Sequence, residues 1–389
     1  MTHSQADVLD SLSAEELARY SRHIMLPNVG VEGQRALRKA RVAVVGAGGL
    51  GSPAALYLAA AGVGHIGVID DDTVDLTNLQ RQIAHTYDRV GVSKTASIAR
   101  SVHAINPATV VEGHDVRLSP DNALDILADY DVVLDGTDNY TTRYLVSDAC
   151  VLLGKAHVWA SVFQFEGQIA TWWAQRGPCY RCMFPTAPQA GLVPSCAEGG
   201  VFGALCGVLG SMQVAEVLKI ILNIGTPLIG RLRIYDALES TWDTVTIERD
   251  PQCPACGVDR TIIGLQGEID ACQVAQTPNA VAVEEITARE LAALITGRSR
   301  FRLIDVRGPA ESEIVTIPGA ESIPLQQFEL GSAAARLDPG DDIVVFCRSG
   351  ARSARAVSLL LPNAVARARS LAGGVLAWVS QIDPSLPSY

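Results

Sequence analysis

Four of the nine cysteines in this 389-residue chain form two CxxC pairs, Cys179 with Cys182 and Cys253 with Cys256, each beside a Pro or Gly. A CxxC turn grips a soft cation from one side. Two such turns complete the tetrahedral S4 set that a structural Zn2+ prefers. Either pair taken alone also reads as a redox dithiol. With four thiolates the coordination sphere is closed, so the metal would be structural and would tie distant segments together, since the pairs lie too far apart for a compact zinc ribbon.

A different chemistry is written at Cys347. The apolar run 343–346 passes directly into CysArgSerGlyAlaArg, 347–352, and then into a helical pattern. Amides curled around the sulfur, the helix dipole, Arg348 and Arg352 all favour a thiolate there, which makes Cys347 the strongest nucleophile candidate of the chain. Cys196 lies in a Pro- and Gly-flanked loop before a long apolar stretch and is balanced between a reactive thiol and a packing residue, whereas Cys206, deeper in that stretch, reads as packing.

A third constellation concerns phosphate. Residues 41–53 read as strand, tight turn and helix, and Gly46, Gly48 and Gly51 have the GxGxxG spacing. One glycine makes the turn, one admits a phosphate to the backbone, and one lets the helix press on the strand. The helix expected from near Gly49 aims free N–H groups at an anion. A second strand, 65–69, ends in Asp70, where an acid can hold ribose hydroxyls. Asn78, Arg81 and Lys94 follow, and such donors could neutralise a triphosphate, although surface charge at a loop explains them as well. A further strand over 131–134 ends in AspGlyThrAspAsn, 135–139; Asp138, beside Asn139, could hold Mg2+ or cap the helix expected from near Thr141.

These motifs need a scaffold. Strands alternating with helical patterns point to an α/β fold with a mostly parallel, doubly wound sheet, and the length calls for more than one domain. Residues 1–257 form the first domain in this reading, 258–283 a linker, and 284–389 a smaller α/β domain with a helix over 287–296 and a strand over 301–306. Ser13 and Glu16 make a capping box, and Leu17, Tyr20 and Ile24 then share the apolar face of the first helix, which also carries Arg22. The net charge of −11 argues against a nucleic-acid or anionic-membrane partner. The polar, acidic start matches neither a signal nor a transit peptide, which reads as cytoplasmic. Residues 201–222 are apolar but contain Gln213, Glu216 and Lys219, and so fit a buried helix better than a membrane span.

Residues 1–257 resemble the MoeB/ThiF class of ubiquitin-activating-type adenylyltransferases, through GlyAlaGlyGlyLeuGly, the Asp70 strand end, AsnLeuGlnArgGln at 78–82, Lys94, AspGlyThrAspAsn and both CxxC pairs. The last hundred or so resemble a rhodanese, through LeuIleAspValArg at 303–307, IleProGlyAla at 317–320 and the Cys347 loop. Their order is similar to that of the fused adenylyltransferase-sulfurtransferases. The resemblance implies ATP bound at Gly49, Asp70, Asn78, Arg81, Lys94 and Asp138, and Mg2+ on Asp138. It implies adenylation of the C-terminal carboxylate of a small MoaD- or ThiS-like sulfur-carrier protein ending in GlyGly, and a Cys347 persulfide charged by a donor such as a cysteine desulfurase or thiosulfate. It also implies a homodimer in which Arg22 reaches the partner's nucleotide, and a covalent link between Cys196 and the carrier.

Two departures mark the rhodanese half. GlyProAlaGluSerGlu, 308–313, lacks the aromatic common near its second glutamate. The thiol loop has four residues between Cys347 and Arg352 where cysteine phosphatases have five, and Phe346 stands where they carry His. Both loop features favour sulfur transfer over phosphate hydrolysis. The competing functions are an NAD-dependent oxidoreductase, which leaves the thiol domain and the Arg81–Lys94 pair unexplained, and a non-catalytic scaffold that docks the carrier.

Overall fold

The computed structural model describes residues 11–187, 199–265, 283–360 and 367–388. The chain divides into two compact units, with the break after Asp270. Among the described residues the first unit begins with α1 (Ala14–Arg19), α2 (Ser21–Ile24) and α3 (Gly30–Lys39). The capping box at Ser13 and Glu16 is present, but the single helix expected there breaks at Tyr20. The reason is packing: Tyr20 is buried, with its phenol oxygen accepting from Asn106 Nδ2 at 2.8 Å, while Leu17 is left exposed.

The strands of the first unit are β1 (Arg41–Val45), β2 (His65–Ile69), β3 (Val110–His114), β4 (Val132–Asp135), β5 (Ala156–Phe163), β6 (Glu166–Trp172), β7 (Arg231–Asp236) and β8 (Thr241–Thr246). They make one sheet in the order β3-β2-β1-β4-β5-β6-β7-β8. Pairing is parallel from β3 to β5 and antiparallel from β5 to β8, so the parallel part expected from the sequence carries an antiparallel extension. Order reverses between β1 and β4, and a sheet of this kind opens its ligand crevice beyond the strand ends at that reversal.

Helices cover both faces of the parallel strands. They are α4 (Gly51–Ala61), α5 (Lys94–Ile105), α6 (Ala123–Ala128), α7 (Tyr140–Leu153), α8 (Tyr180–Met183) and α9 (Gly203–Leu222). One core joins Val42, Val44, Leu58, Ile66, Ile98 and Val217, and the other joins Ala43, Val45, Leu127, Val133, Val146 and Ala149. The inward alternation of β1 on both sides is what a strand sandwiched between helices requires.

By length and composition α9 could cross a membrane. Its polar residues are instead used inside the unit. Gln213 donates to the Asp135 and Val158 carbonyls, and Glu216 accepts from the Leu228 N–H at 2.7 Å. Of the residues assigned to a linker, Thr261 and Ile262 donate their amides to the Pro254 carbonyl, and the half-buried Leu265 side chain packs against the second core.

The second unit holds β9 (Glu284–Ile286), α10 (Ala288–Thr296), β10 (Arg302–Asp305), α11 (Pro309–Ile314), β11 (Glu321–Ser322), α12 (Leu325–Glu329), β12 (Asp342–Phe346), α13 (Ala351–Leu360), β13 (Arg367–Leu371) and α14 (Gly374–Gln381). Its sheet runs β11-β10-β12-β13-β9, all parallel, with β12 at the centre. Leucines, valines and isoleucines of that sheet feed two apolar clusters, one on each face.

Candidate active sites

The glycine loop leaves β1 at Gly46, whose φ of +88° suits glycine. A Cβ on Gly51 would lie 1.8 Å from the Gly46 carbonyl oxygen, so this glycine does let α4 close on the strand. The helix starts at Gly51, two residues later than expected, with no side chain capping it. A Cβ on Gly48 would meet only the Gln82 amide, at 3.8 Å, which leaves its backbone open to a ligand.

In front of this loop lies a cavity of about 400 Å3 lined by Gly46, Gly48, Gly49, Asp70, Asn78, Arg81, Lys94, Asp138 and Asn139. The structure thus brings the nucleotide-binding candidates together, save Gly51, which lies beneath the loop, and Arg22, which lies in another groove. Asp70 accepts from the Ala47 N–H at 2.7 Å and from the Asp72 N–H at 2.9 Å, and burial pushes its carboxyl up despite the nearby Lys94 ammonium. Lys94, buried at the start of α5, pairs with Asp72 at 2.7 Å. Arg81 reaches back to the Thr77 carbonyl at 3.1 Å, and Asn78 accepts from the Asp75 N–H in a capping box.

At the end of β4 the expected division of labour is corrected. Asn139, not Asp138, caps α7, accepting from the Thr142 N–H at 2.9 Å, and Asp138 is an exposed carboxylate on the cavity wall. Its neighbour Asp135 is fully buried, accepts from Thr137 N and Oγ1, and pairs with His157 at 3.0 Å. Burial alone would raise the Asp135 carboxyl, but the His157 and Thr137 contacts outweigh it and hold the group low.

Arg143, Gln82 and Cys206 are among the wall residues to which sequence reasoning gave no individual site role. Arg143 is buried on α7, with both its Nε and Nη2 on the Thr137 carbonyl, and only its i+4 spacing from Asn139 hinted at the site. Gln82 is buried on the wall with its Oε1 unpartnered among the described residues. Cys206, assigned to packing, does pack, but against the loop itself: a Cβ on Gly49 would lie 2.8 Å from its sulfur.

The fit for a divalent cation rests on oxygen ligands. Asp138 faces the cavity, and Asp70, Asp71 and Asp72 bring carboxylate oxygens within 4.8 Å of one another. Hard cations bound to phosphates take few further ligands from protein, which this set can supply.

The cysteine pairs meet far along the sheet. Sγ atoms stand 3.5 Å apart for Cys179 and Cys253, 3.4 Å for Cys182 and Cys256, and 3.9 Å for Cys179 and Cys182. A tetrahedron with Zn–S bonds of about 2.3 Å has edges of roughly 3.8 Å, so the donor set fits Zn2+. Hydrogen bonding to Cys182, burial and repulsion from the other sulfurs all hold the Cys179 thiol well above its ordinary range, a penalty that a cation removes. Around Cys253, the knuckle leaves no room for a side chain at Gly257, where a Cβ would approach the Pro251 and Cys253 carbonyls within 2.6 Å and 2.5 Å.

In the second unit Cys347 sits at the carboxyl end of β12, fully buried, its sulfur accepting from the Gly350 N–H at 3.1 Å and the Ser353 hydroxyl at 3.6 Å. Gly350, at φ +107°, makes the turn into α13. Arg352 does not turn to the sulfur as expected. Its guanidinium makes a two-pronged pair with Glu311, at 2.7 and 2.8 Å, which fastens the thiol loop to α11. Arg307 is locked on Asp305 and the Val315 carbonyl, and is therefore structural. Cys196 lies outside the described residues.

Residues 20–255 match the ThiF family model and residues 287–381 the rhodanese-like domain model. Over 385 residues, 97% of each chain, the sequence is 46% identical to the probable adenylyltransferase/sulfurtransferase MoeZ of Mycobacterium tuberculosis. The chain belongs to the fused ThiF–rhodanese adenylyltransferase/sulfurtransferase family. Another relative, the adenylyltransferase and sulfurtransferase MOCS3 of Bos taurus, is 40% identical over 97% of this chain and 89% of its own. The sulfur carrier protein adenylyltransferase of Thermus thermophilus matches the ThiF part alone, 52% identical over 64% of this chain and 93% of its own. Among solved structures, Escherichia coli MccB crystallised with ATP shares the fold at a TM-score of 0.55 and 23% identity, over 61% of this chain and 74% of that one. As a member of this family the chain is an enzyme, and adenylyl transfer by its ThiF half makes ATP its co-substrate.

Proposed function

We propose that this enzyme activates the C-terminal carboxylate of a small ubiquitin-like sulfur-carrier protein with ATP, and then converts it to a thiocarboxylate with sulfur carried on Cys347. What carries the reading is the convergence of Gly48, Arg81, Lys94 and Asp138 on one cavity, in a chain that also presents a strand-end thiol. A carboxylate oxygen attacks the α-phosphorus, the bond to pyrophosphate breaks, and an acyl-adenylate results. Arg81 and Lys94 stabilise charge growing on the phosphoryl group and the leaving pyrophosphate, which makes the catalysis chiefly electrostatic. Lys94 must leave Asp72 to do so. Mg2+ held by Asp138 would neutralise phosphate charge when bound, and Zn2+ on the four cysteines would be structural.

In the second half-reaction the terminal sulfur of a Cys347 persulfide attacks the acyl carbon and AMP leaves. A second, external thiol then attacks the Cys347 sulfur, a disulfide forms, and the carrier departs as thiocarboxylate; Cys196 would form a covalent link to the carrier. Burial of Cys347 suits this order, because a persulfide stands one S–S bond, about 2.05 Å, farther out than the thiol. A cysteine persulfide or thiosulfate would supply the sulfur. In the homodimer that the resemblance implies, Arg22, which lines a groove of about 470 Å3 with Tyr57, Ser211 and Leu218, would serve the partner's site.

The test incubates the full chain with a carrier ending in GlyGly, ATP and thiosulfate. ATP–pyrophosphate exchange that depends on the carrier, and replacement of one carrier oxygen by sulfur on weighing, are the expected results. Nicotinamide binding without exchange would overturn the reading, as would sulfur transfer to the carrier carboxylate that needs no ATP.

A further inference from the structure

Beneath the glycine loop, outside the cavity wall, lies a buried histidine to which no role has been given. The His85 ring is 5% exposed and is held at both nitrogens: Nε2 stands 3.0 Å from the Ala47 carbonyl oxygen and Nδ1 2.9 Å from Ser97 Oγ. A carbonyl only accepts, so Nε2 carries the proton and donates, and the Ser97 hydroxyl donates to Nδ1. A single neutral tautomer satisfies every atom of the ring.

The three groups joined by this ring belong to the three elements that bear the phosphate donors. Ala47 lies between Gly46 and Gly48, and its own N–H is held by Asp70 at 2.7 Å, so this peptide is pinned at both ends. His85 itself closes the Asn78–Arg81 segment, since the Asn78 carbonyl accepts from the Arg81 and Gln82 amides and the Gln82 carbonyl from the His85 amide. Ser97 is one turn into α5, the helix that begins with Lys94. Arg89 and Ser101 also fasten the segment to that helix, through the Ala84 and Ser97 carbonyls, but those bonds stop short of the glycine loop.

We propose that His85 is a positioning residue for adenylation: it fixes the glycine loop, Arg81 and Lys94 in one mutual geometry by bonding Ala47 on one side and Ser97 on the other. The proposal rests on the adenylation reading above. Placement matters because donors aimed at developing charge lose their value steeply when displaced, and a shift of about 1 Å can cost on the order of 10²-fold in rate.

Carrier-dependent ATP–pyrophosphate exchange is measured for the full-length enzyme, with zinc content and melting temperature recorded for each variant. His85→Ala is expected to lower kcat by on the order of 10²-fold while the KM for ATP changes little, since no side chain lining the cavity is removed. His85→Gln, whose amide can donate to Ala47 and accept from Ser97, should recover most of the rate. Ser97→Ala, which keeps the ring and its bond to Ala47 but cuts its link to α5, should fall between. Wild-type kcat in His85→Ala overturns the proposal, as does a loss confined to KM. Should His85→Ala fail to melt cooperatively, Ser97→Ala decides instead, and wild-type kcat there is the overturning result. Absence of exchange in the unmodified enzyme would sink the adenylation reading itself, a distinct outcome.

Discussion

Two strand–loop–helix turns in this molecule do their work by opposite means. The first, after β1, contains Gly46 to Gly51 and offers backbone only; its charges arrive from Arg81 on a following loop, Lys94 at the head of α5, and Asp138 after β4. The second, after β12, holds the proposed sulfur-carrying atom within itself, and two of its donors to the sulfur, the Gly350 amide and the Ser353 hydroxyl, lie within six residues of Cys347. A site assembled from several elements can be tuned by moving any of them. A site wound around one atom is set by local backbone, and the rest of its unit serves to hold the winding still.

The sharpest break between the two turns is chemical. Cys347→Ala should abolish thiocarboxylate formation while leaving carrier-dependent pyrophosphate exchange at its full rate, which exchange and mass assays on one preparation would show. Next, Arg81→Ala should reduce exchange by about 10²- to 10³-fold, the usual cost of removing one donor to transition-state charge, and leave transfer of sulfur from thiosulfate to cyanide untouched. A loss of both activities in either variant would mean that the turns are not separable.

Sterics make the next test. Gly51 supports the first turn and Gly374 the second, where a Cβ would come within 2.5 Å of the Cys347 carbonyl oxygen. Alanine at either should destabilise its own unit by roughly 1–3 kcal/mol, read as a lowered melting transition, with the Gly374→Ala loss accompanied by faster alkylation of Cys347. Of smaller effect, Glu311→Gln should loosen the thiol loop through Arg352 and leave pyrophosphate exchange unchanged, as thermal melts and exchange rates would report.

The gentlest test is pH. Burial holds the His85 imidazole below its ordinary value, with the charges of Lys94 and Arg89 adding to the effect and the Ala47 carbonyl opposing it. The folded state therefore refuses a proton that the unfolded chain accepts below about pH 6.5. The stabilisation is present above that pH and is lost as the pH falls toward the folded value. Melting temperature should drop over that window in the native chain and drop less in His85→Gln; equal slopes would exclude His85 as the source.

Much of this is legible in the amino-acid sequence. Glycine spacing, the Asp70 strand end and the CxxC pairs are local signals with local causes, and the residues they mark do converge. What escaped reading depends on contacts remote in sequence. Nothing near Arg352 foretells that Glu311 will take its guanidinium, and nothing near Tyr20 foretells that Asn106 will draw its phenol inward and break the first helix. Asp138 and Asn139 are neighbours and either can cap a helix; geometry chose the amide and left the acid for the cavity. The antiparallel extension of the sheet was likewise invisible, since short strands carry no mark of their direction.

The contact between Cys206 and Gly49 has an evolutionary corollary. These positions are far apart in sequence and would be sorted separately, one as part of a phosphate turn and the other as helix filling, yet they occupy a single volume. Across relatives they should vary as a pair: wherever a methyl group enters at 49, residue 206 must shrink to make way, and a lineage with a bulkier side chain at 206 has no freedom at 49.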